Sequence, residues 1–172
     1  TIPTITGTAE ANSTITLLNG DIEIGTAIAD SEGDFSVSPS SALADGNYSL
    51  TATATDAAGN ISSESSSISI TIDTTAPDAP SSLATSSSVT DNTTPTITGT
   101  AEANSTTTLF NGDVEIGTAT ANSEGAFTIT PSDPLEDGDY SLTVTATDTA
   151  GNTSSISSSI SITIDTLATD VS

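Results

Sequence analysis

The chain has 172 residues with no Cys, His, Lys or Arg, against 23 Asp plus Glu, for a formal net charge of −23. This composition excludes disulfides, thiolate and imidazole metal sites and His-based acid–base chemistry. Without one cationic side chain, neither a nucleic acid nor an anionic membrane surface has a group to bind, and no Lys–Asn isopeptide staple can form.

In chain order the first half reads as short strands separated by turns. "TITGTA" at 4–9 turns Ile5 inward, and "TITLL" at 14–18 turns Ile15 and Leu17 inward before the hairpin signal Asn19-Gly20. "IEIGTAIA" at 22–29 offers Ile22 and Ile24, and "FSV" at 35–37 offers Phe35 and Val37. "YSLTATAT" at 48–55 carries Tyr48, Leu50, Ala52 and Ala54 on one face, and "SISITI" at 67–72 carries Ile68, Ile70 and Ile72. The opposite face of each strand is Thr and Ser, the pattern of sheets with one wet side. Because 33% of the chain is apolar and so placed, and the acids are dispersed, the charge does not imply disorder. It does imply self-repulsion that cations must screen.

A shift of 92 residues overlays the chain on itself without a gap, and 58 of the 80 aligned pairs are identical. "PTITGTAEANST" at 3–14 returns unchanged at 95–106, and "SSSISITIDT" at 65–74 at 157–166. Such a period suits a whole small domain copied by duplication. Only "SSLATSSSVTDN" at 81–92 has no earlier partner, so the first copy is expected to lack its opening strand and the chain to be a piece of a longer tandem array. The expected domains are residues 1–74 and 75–172, joined by a linker at 73–80 that Pro77 and Pro80 stiffen. No run approaches the ~20 apolar residues that span a membrane as a helix, and no leader peptide is visible at Thr1.

Seven short strands in about 90 residues predict an all-β fold: two tandem Ig-like Greek-key sandwiches. "DGNYSL" at 45–50 and "DGDYSL" at 137–142 put a Tyr where a tyrosine corner sits. Together, "PTITGTAEAN", "GTATA", the shared "YSLT-TATD-AGN" segment and "IDTTAPDAP" resemble the bacterial Ig-like repeats of giant type I-secreted adhesins and biofilm-associated proteins. The resemblance covers nearly the whole chain. It implies modules that form rods at the bacterial cell surface, extend an adhesive domain and commonly bind Ca²⁺ near their junctions.

In such a sandwich the loops gather at two poles. At the pole where the second module begins lie the turns bearing Glu102 and Asn104, Glu124, and Asp148 and Asn152, and the linker brings Asp73, Thr74 and Asp78. Asp73, Glu102 and Asp148 as carboxylates, with oxygens from Thr74, Asn104, Asn152 and water, make a ligand set suited to Ca²⁺ rather than Mg²⁺ or Zn²⁺. The first module is expected to carry the half-site Glu10, Asp56 and Asn60, and Asp165 to donate toward a following module. Asp91 with Asp137 forms a weaker pair at the other pole. Each acid also has a plain reading: Asp148 as an Asx-turn residue, Glu102 as a solvated loop tip, Asp73 as a strand-end charge, Asp78 and Glu124 as solvated groups.

The expected role is a Ca²⁺-rigidified structural spacer whose partners are neighbouring modules. The alternatives are a filament or surface-layer subunit, self-associating in a matrix, and direct binding of carbohydrate or ice through the outward Thr runs. Glycoside hydrolysis by paired carboxylates fits poorly, because the acids stand in turns and only five aromatics exist to line a sugar platform.

Overall fold

A computed structural model describes residues 1–168. The chain divides into two compact units, Thr1–Thr74 and a second beginning at Thr75.

The first unit has six strands: β1 (Ile5–Thr8), β2 (Thr14–Asn19), β3 (Ile22–Ile28), β4 (Asp34–Val37), β5 (Gly46–Thr55) and β6 (Ile68–Ile72). They form one sheet in the order β3-β2-β5-β6 and a facing pair, β1-β4. The described residues of the second unit form eight: β7 (Ser81–Thr85), β8 (Val89–Thr90), β9 (Ile97–Thr100), β10 (Thr106–Asn111), β11 (Val114–Thr120), β12 (Ala126–Ile129), β13 (Gly138–Thr147) and β14 (Ile160–Ile164). Its sheets are β12-β9-β7 and β11-β10-β13-β14-β8. The architecture is an all-β, Ig-like sandwich.

Period-two alternation explains most of the core. Ile15, Leu17, Val37 and Leu50 are buried in the first unit, as are Leu109, Ile129 and Leu142 in the second. Two expectations fail. Ile22 is 68% exposed, and its counterpart Val114 is exposed as well. A bulge between Leu17 and Leu18 shifts the β2–β3 register, so Glu23 and Ile22 rather than Ile24 pair with the end of β2 and the facing alternation resets. Ile68 is exposed, whereas its copy Ile160 is half-buried, because the second unit has an opening segment beside it. That segment supplies two strands where one was expected. β7 pairs antiparallel with β9, and β8 crosses to the other sheet and pairs parallel with β14.

Local chemistry sets the turns. The two-residue hairpin loop is Gly20-Asp21, with Gly20 at φ 60 and Asn19 still paired. Glycine first in the loop with positive φ is the II′ arrangement that suits strand twist. Both tyrosine corners are present: the Tyr48 hydroxyl donates to the Ala44 carbonyl (2.9 Å) and the Tyr140 hydroxyl to that of Glu136 (3.0 Å). The Ser-rich stretch before β14 is not a loose loop. Ser154 and Ser157 give their N–H groups to the Ala146 and Val144 carbonyls, and their hydroxyls accept the N–H groups of those same residues. Ser62 and Ser65 do the same with Ala54 and Ala52.

Candidate functional site

The register gathers the turns at one pole of each unit. In the second unit Thr106 pairs with both Thr120 and Thr147, so the turns before β10, after β11 and after β13 leave the sheet from one row. The first two are tied together, since Ala101 N–H donates to Gly125 O, and Asn104 N–H to Ala121 O. Asn104, at φ 64, closes its turn in the left-handed region that Asn tolerates. Ser105 is buried, and its N–H and hydroxyl both donate to the Glu102 carbonyl. The Glu102 side chain is exposed. It lines a shallow hollow with Asp78, Ser81 and Thr100, and Asp78 is exposed too.

Asp148 builds an Asx turn. Its Oδ1 accepts the N–H groups of Ala150 and Asn152 (both 2.8 Å), and its Oδ2 accepts Asn152 Nδ2 at 2.8 Å. The copy repeats this: Asp56 accepts from Ala58 N–H (2.8 Å), Asn60 N–H (2.9 Å) and Asn60 Nδ2 (2.8 Å). The Asn60 amide, then the backbone donors, hold the Asp56 carboxyl below its usual range. For Asp148 the Asn152 amide is the largest cause of the same lowering, with partial desolvation opposing it. Glu10, Asp56 and Asn60 all border one groove of the first unit. Asp30 in the first unit and Asn122 in the second form a further Asx turn, each accepting two backbone N–H groups on Oδ1. An amide serves there as well as an acid, so that turn needs no charge.

Sequence reasoning missed a clamp where each unit's last strand ends. Asp137 Oδ1 accepts the N–H (3.1 Å) and hydroxyl (2.9 Å) of Thr166, and Asp45 accepts the same two groups of Thr74. The Thr74 hydroxyl is thus directed to Asp45. The signal was the repeated pairing of "DG-YSL" with "IDT". Asp165 is exposed and accepts the Leu167 N–H at 3.1 Å. Asp91 and Asp73 are exposed.

Among the described residues no three Asp or Glu side chains gather closely enough to hold a metal. The oxygens available are of the kind a hard cation takes.

The bacterial Ig-like domain profile matches residues 1–74 and again 76–166. The chain belongs to the bacterial Ig-like domain family. Among solved structures it is similar to the fibronectin(III)-like modules of Clostridium thermocellum CbhA, at 18% identity, TM-score 0.57, over 95% of this chain and 85% of that one. It is also similar to a biofilm-associated protein BSP domain (26% identity, TM-score 0.40, 96% of this chain and 28% of that). A tetra-tandem repeat from the extending region of a large adhesion protein gives 26% identity and TM-score 0.38, over 95% of this chain and 45% of that one. No curated protein matches the chain. The first likeness shows the fold. The family assignment rests on the two matches along this chain's own sequence. No described helix is long and apolar enough to cross a membrane.

Proposed function

We infer that these Ig-like units are structural spacer repeats of an extracellular bacterial surface protein of the adhesin kind, working beside neighbouring modules of the same chain. The observation that carries this is the repetition of one bacterial Ig-like unit twice in 172 residues, with chemistry-bearing residues used for turns rather than for a catalytic cleft. Asp148, Asp56, Asp137 and Asp45 all spend carboxylate oxygens on backbone donors.

Calcium rigidification of the junction belongs to the same proposal. It is supported by the all-oxygen donor set, by 23 acids without a fixed cation, and by Asp78 beside Glu102 at the pole that carries Asp148. The ion would draw on Glu102, Asp148, Asn104 and Asn152, on Asp73 and the Thr74 carbonyl, and on water, with Asp165 donating toward a following module. Calcium titration by calorimetry on the full chain tests it, with Asp148→Asn as the variant that keeps an Asx oxygen but loses the charge. Saturable heat that weakens in the variant supports the site. Absence of heat removes calcium and leaves the spacer reading, which scattering in the presence and absence of chelator then checks separately.

A second reading, direct binding through a Thr surface, rests on register. Thr120, Thr106 and Thr147 form one cross-strand row, and Thr118 and Thr108 stand in the next, whose third member, Thr145, is buried. Partition of the chain into growing ice, or its signal on a glycan array, tests that reading.

A further inference from the structure

Six Asn-x-Ser/Thr triplets occur along the chain, at Asn12, Asn47, Asn60, Asn92, Asn104 and Asn152. This triplet is the acceptor pattern for N-linked sugar: the Asn side-chain nitrogen takes the sugar, and the hydroxyl two residues on is read with it. The fold commits both groups at three of the six. Asn60 and Asn152 donate Nδ2 to Asp56 and Asp148, and the hydroxyls of Ser62 and Ser154 donate to the Ser63 and Ser155 carbonyls. Asn92 donates Nδ2 to the Thr94 carbonyl, and the Thr94 hydroxyl donates to Asn92 Oδ1. Asn47 lies within β5, paired with Thr71 of β6, and its Oδ1 accepts the Thr71 hydroxyl.

Asn12 and Asn104 are differently placed. They sit in the turns that lead into β2 and β10, at φ 62 and 64. Alternation runs through each triplet: Asn12 and Thr14 are exposed around the buried Ser13, and Asn104 and Thr106 around the buried Ser105. The middle serine anchors the turn, since its N–H and hydroxyl both donate to the carbonyl of Glu10 or Glu102. Among the described residues, neither Nδ2 of Asn12 and Asn104 nor the hydroxyl of Thr14 and Thr106 has a hydrogen-bond partner.

We propose that Asn12 and Asn104 are acceptor sites for an N-linked sugar delivered from a sugar nucleotide, and that the fold selects them over the other four triplets. Nδ2 attacks the anomeric carbon of the sugar. The bond from that carbon to the diphosphate oxygen breaks, the nucleoside diphosphate leaves with the electron pair, and one Nδ2 proton passes to a base of the transferase. No bond of the fold breaks first, because backbone donors and the middle serine hold the turn without the Asn side chain. At Asn60, Asn92 and Asn152 the same attack begins by freeing a nitrogen that closes its own turn. On an exposed turn the bulky, hydrophilic product stays solvated. The sugar leaves Asn104 Oδ1 in place, so the acceptor sites neither need nor exclude a calcium ion.

The test incubates the folded 172-residue chain with a soluble asparagine glucosyltransferase and UDP-glucose. Mass spectrometry then maps the product after cleavage at glutamates, since trypsin has no Lys or Arg to cut. Expected is one hexose on the peptide holding Asn12 and one on that holding Asn104, with Asn92 and Asn152 unmodified. Asn104→Asp keeps a residue that tolerates the left-handed turn, and Thr106→Val keeps a β-branched strand residue. Either variant should lose the second-unit hexose and keep that on Asn12, with Asn152 still unmodified as the mark of a folded second unit. Short peptides of residues 100–108 and 148–156, which carry no fold, should accept hexose alike. No transfer to the folded chain under conditions that modify the 100–108 peptide, equal transfer to all six triplets, or a preference already present in the peptides overturns the proposal.

Discussion

Gly7 and Gly99 ask one question in two settings. A Cβ at Gly99 would stand 2.6 Å from Phe127 Cζ and 2.8 Å from Leu83 Cδ2, so it is crowded by two side chains at once, one of them from β7. A Cβ at Gly7 would stand 2.7 Å from Phe35 Cζ, but that ring borders an open groove. Gly99→Ala is therefore an overpacking substitution and should cost about 1–3 kcal/mol. Gly7→Ala lets Phe35 swing outward, and its cost should fall below about 1 kcal/mol, because alanine also reduces the entropy of the unfolded chain at a position without positive φ. The assay is equilibrium urea denaturation followed by tyrosine signals. With Tyr48 in the first unit, Tyr140 in the second and no Trp, the summed tyrosine signal falls in two steps when the units unfold separately, and each variant should shift the step of its own unit. Costs equal within about 0.3 kcal/mol would refute the reasoning, because the difference comes entirely from the presence of β7.

Other outcomes follow from the same geometry. Ser157→Ala leaves the buried Val144 N–H without its acceptor and should cost about 1–3 kcal/mol, whereas Ser65→Ala, whose Ala52 N–H can turn to water, should cost less; chemical denaturation of both variants checks the order. Tyr140→Phe removes the corner bond to Glu136 and should lower second-unit stability by about 0.5–1.5 kcal/mol, read by differential scanning calorimetry. Asp56 and Asp148 have lowered folded pKa values, so the stability they contribute is present above the unfolded value near pH 4 and is lost as pH falls through the folded value. Carboxylate NMR titration should place both below the ordinary aspartate value, and Asn152→Ala should raise Asp148 back toward that value. Raising sodium chloride from low ionic strength to about 0.15 M, where the Debye length is about 8 Å, should raise the melting temperature, since −23 is screened by cations of any kind; a flat response would contradict self-repulsion.

Alternation exposed most of the fold in advance, because a strand with one wet face writes its period into the sequence, as Ile15, Leu17 and Leu50 do. Ile22 broke the rule because a bulge is a property of two strands in register and leaves no mark on either alone. The candidate acids were legible as turn residues but not as partners. "DTAGN" at 148–152 is a recognisable Asx turn, since its donors lie within four residues. Asp137 and Thr166 lie 29 residues apart and meet only because β13 and β14 pair from Gly138 and Ile164 onward. The hollow shared by Asp78 and Glu102 likewise needed the pairing of Ser81 with Thr100.

By itself the sequence determined the chemistry: no thiol, imidazole or cation, an exact period of 92, alternating strands and Gly-centred turns. Those are properties of composition and of neighbours along the chain. Tertiary structure decided which surfaces close. Ile5 and Ile97 are the same residue in the same heptapeptide, "PTITGTA", yet one is half-buried and the other fully buried. Burial is set by what packs across the sheet, and for Ile97 that is a strand with no counterpart among residues 1–74.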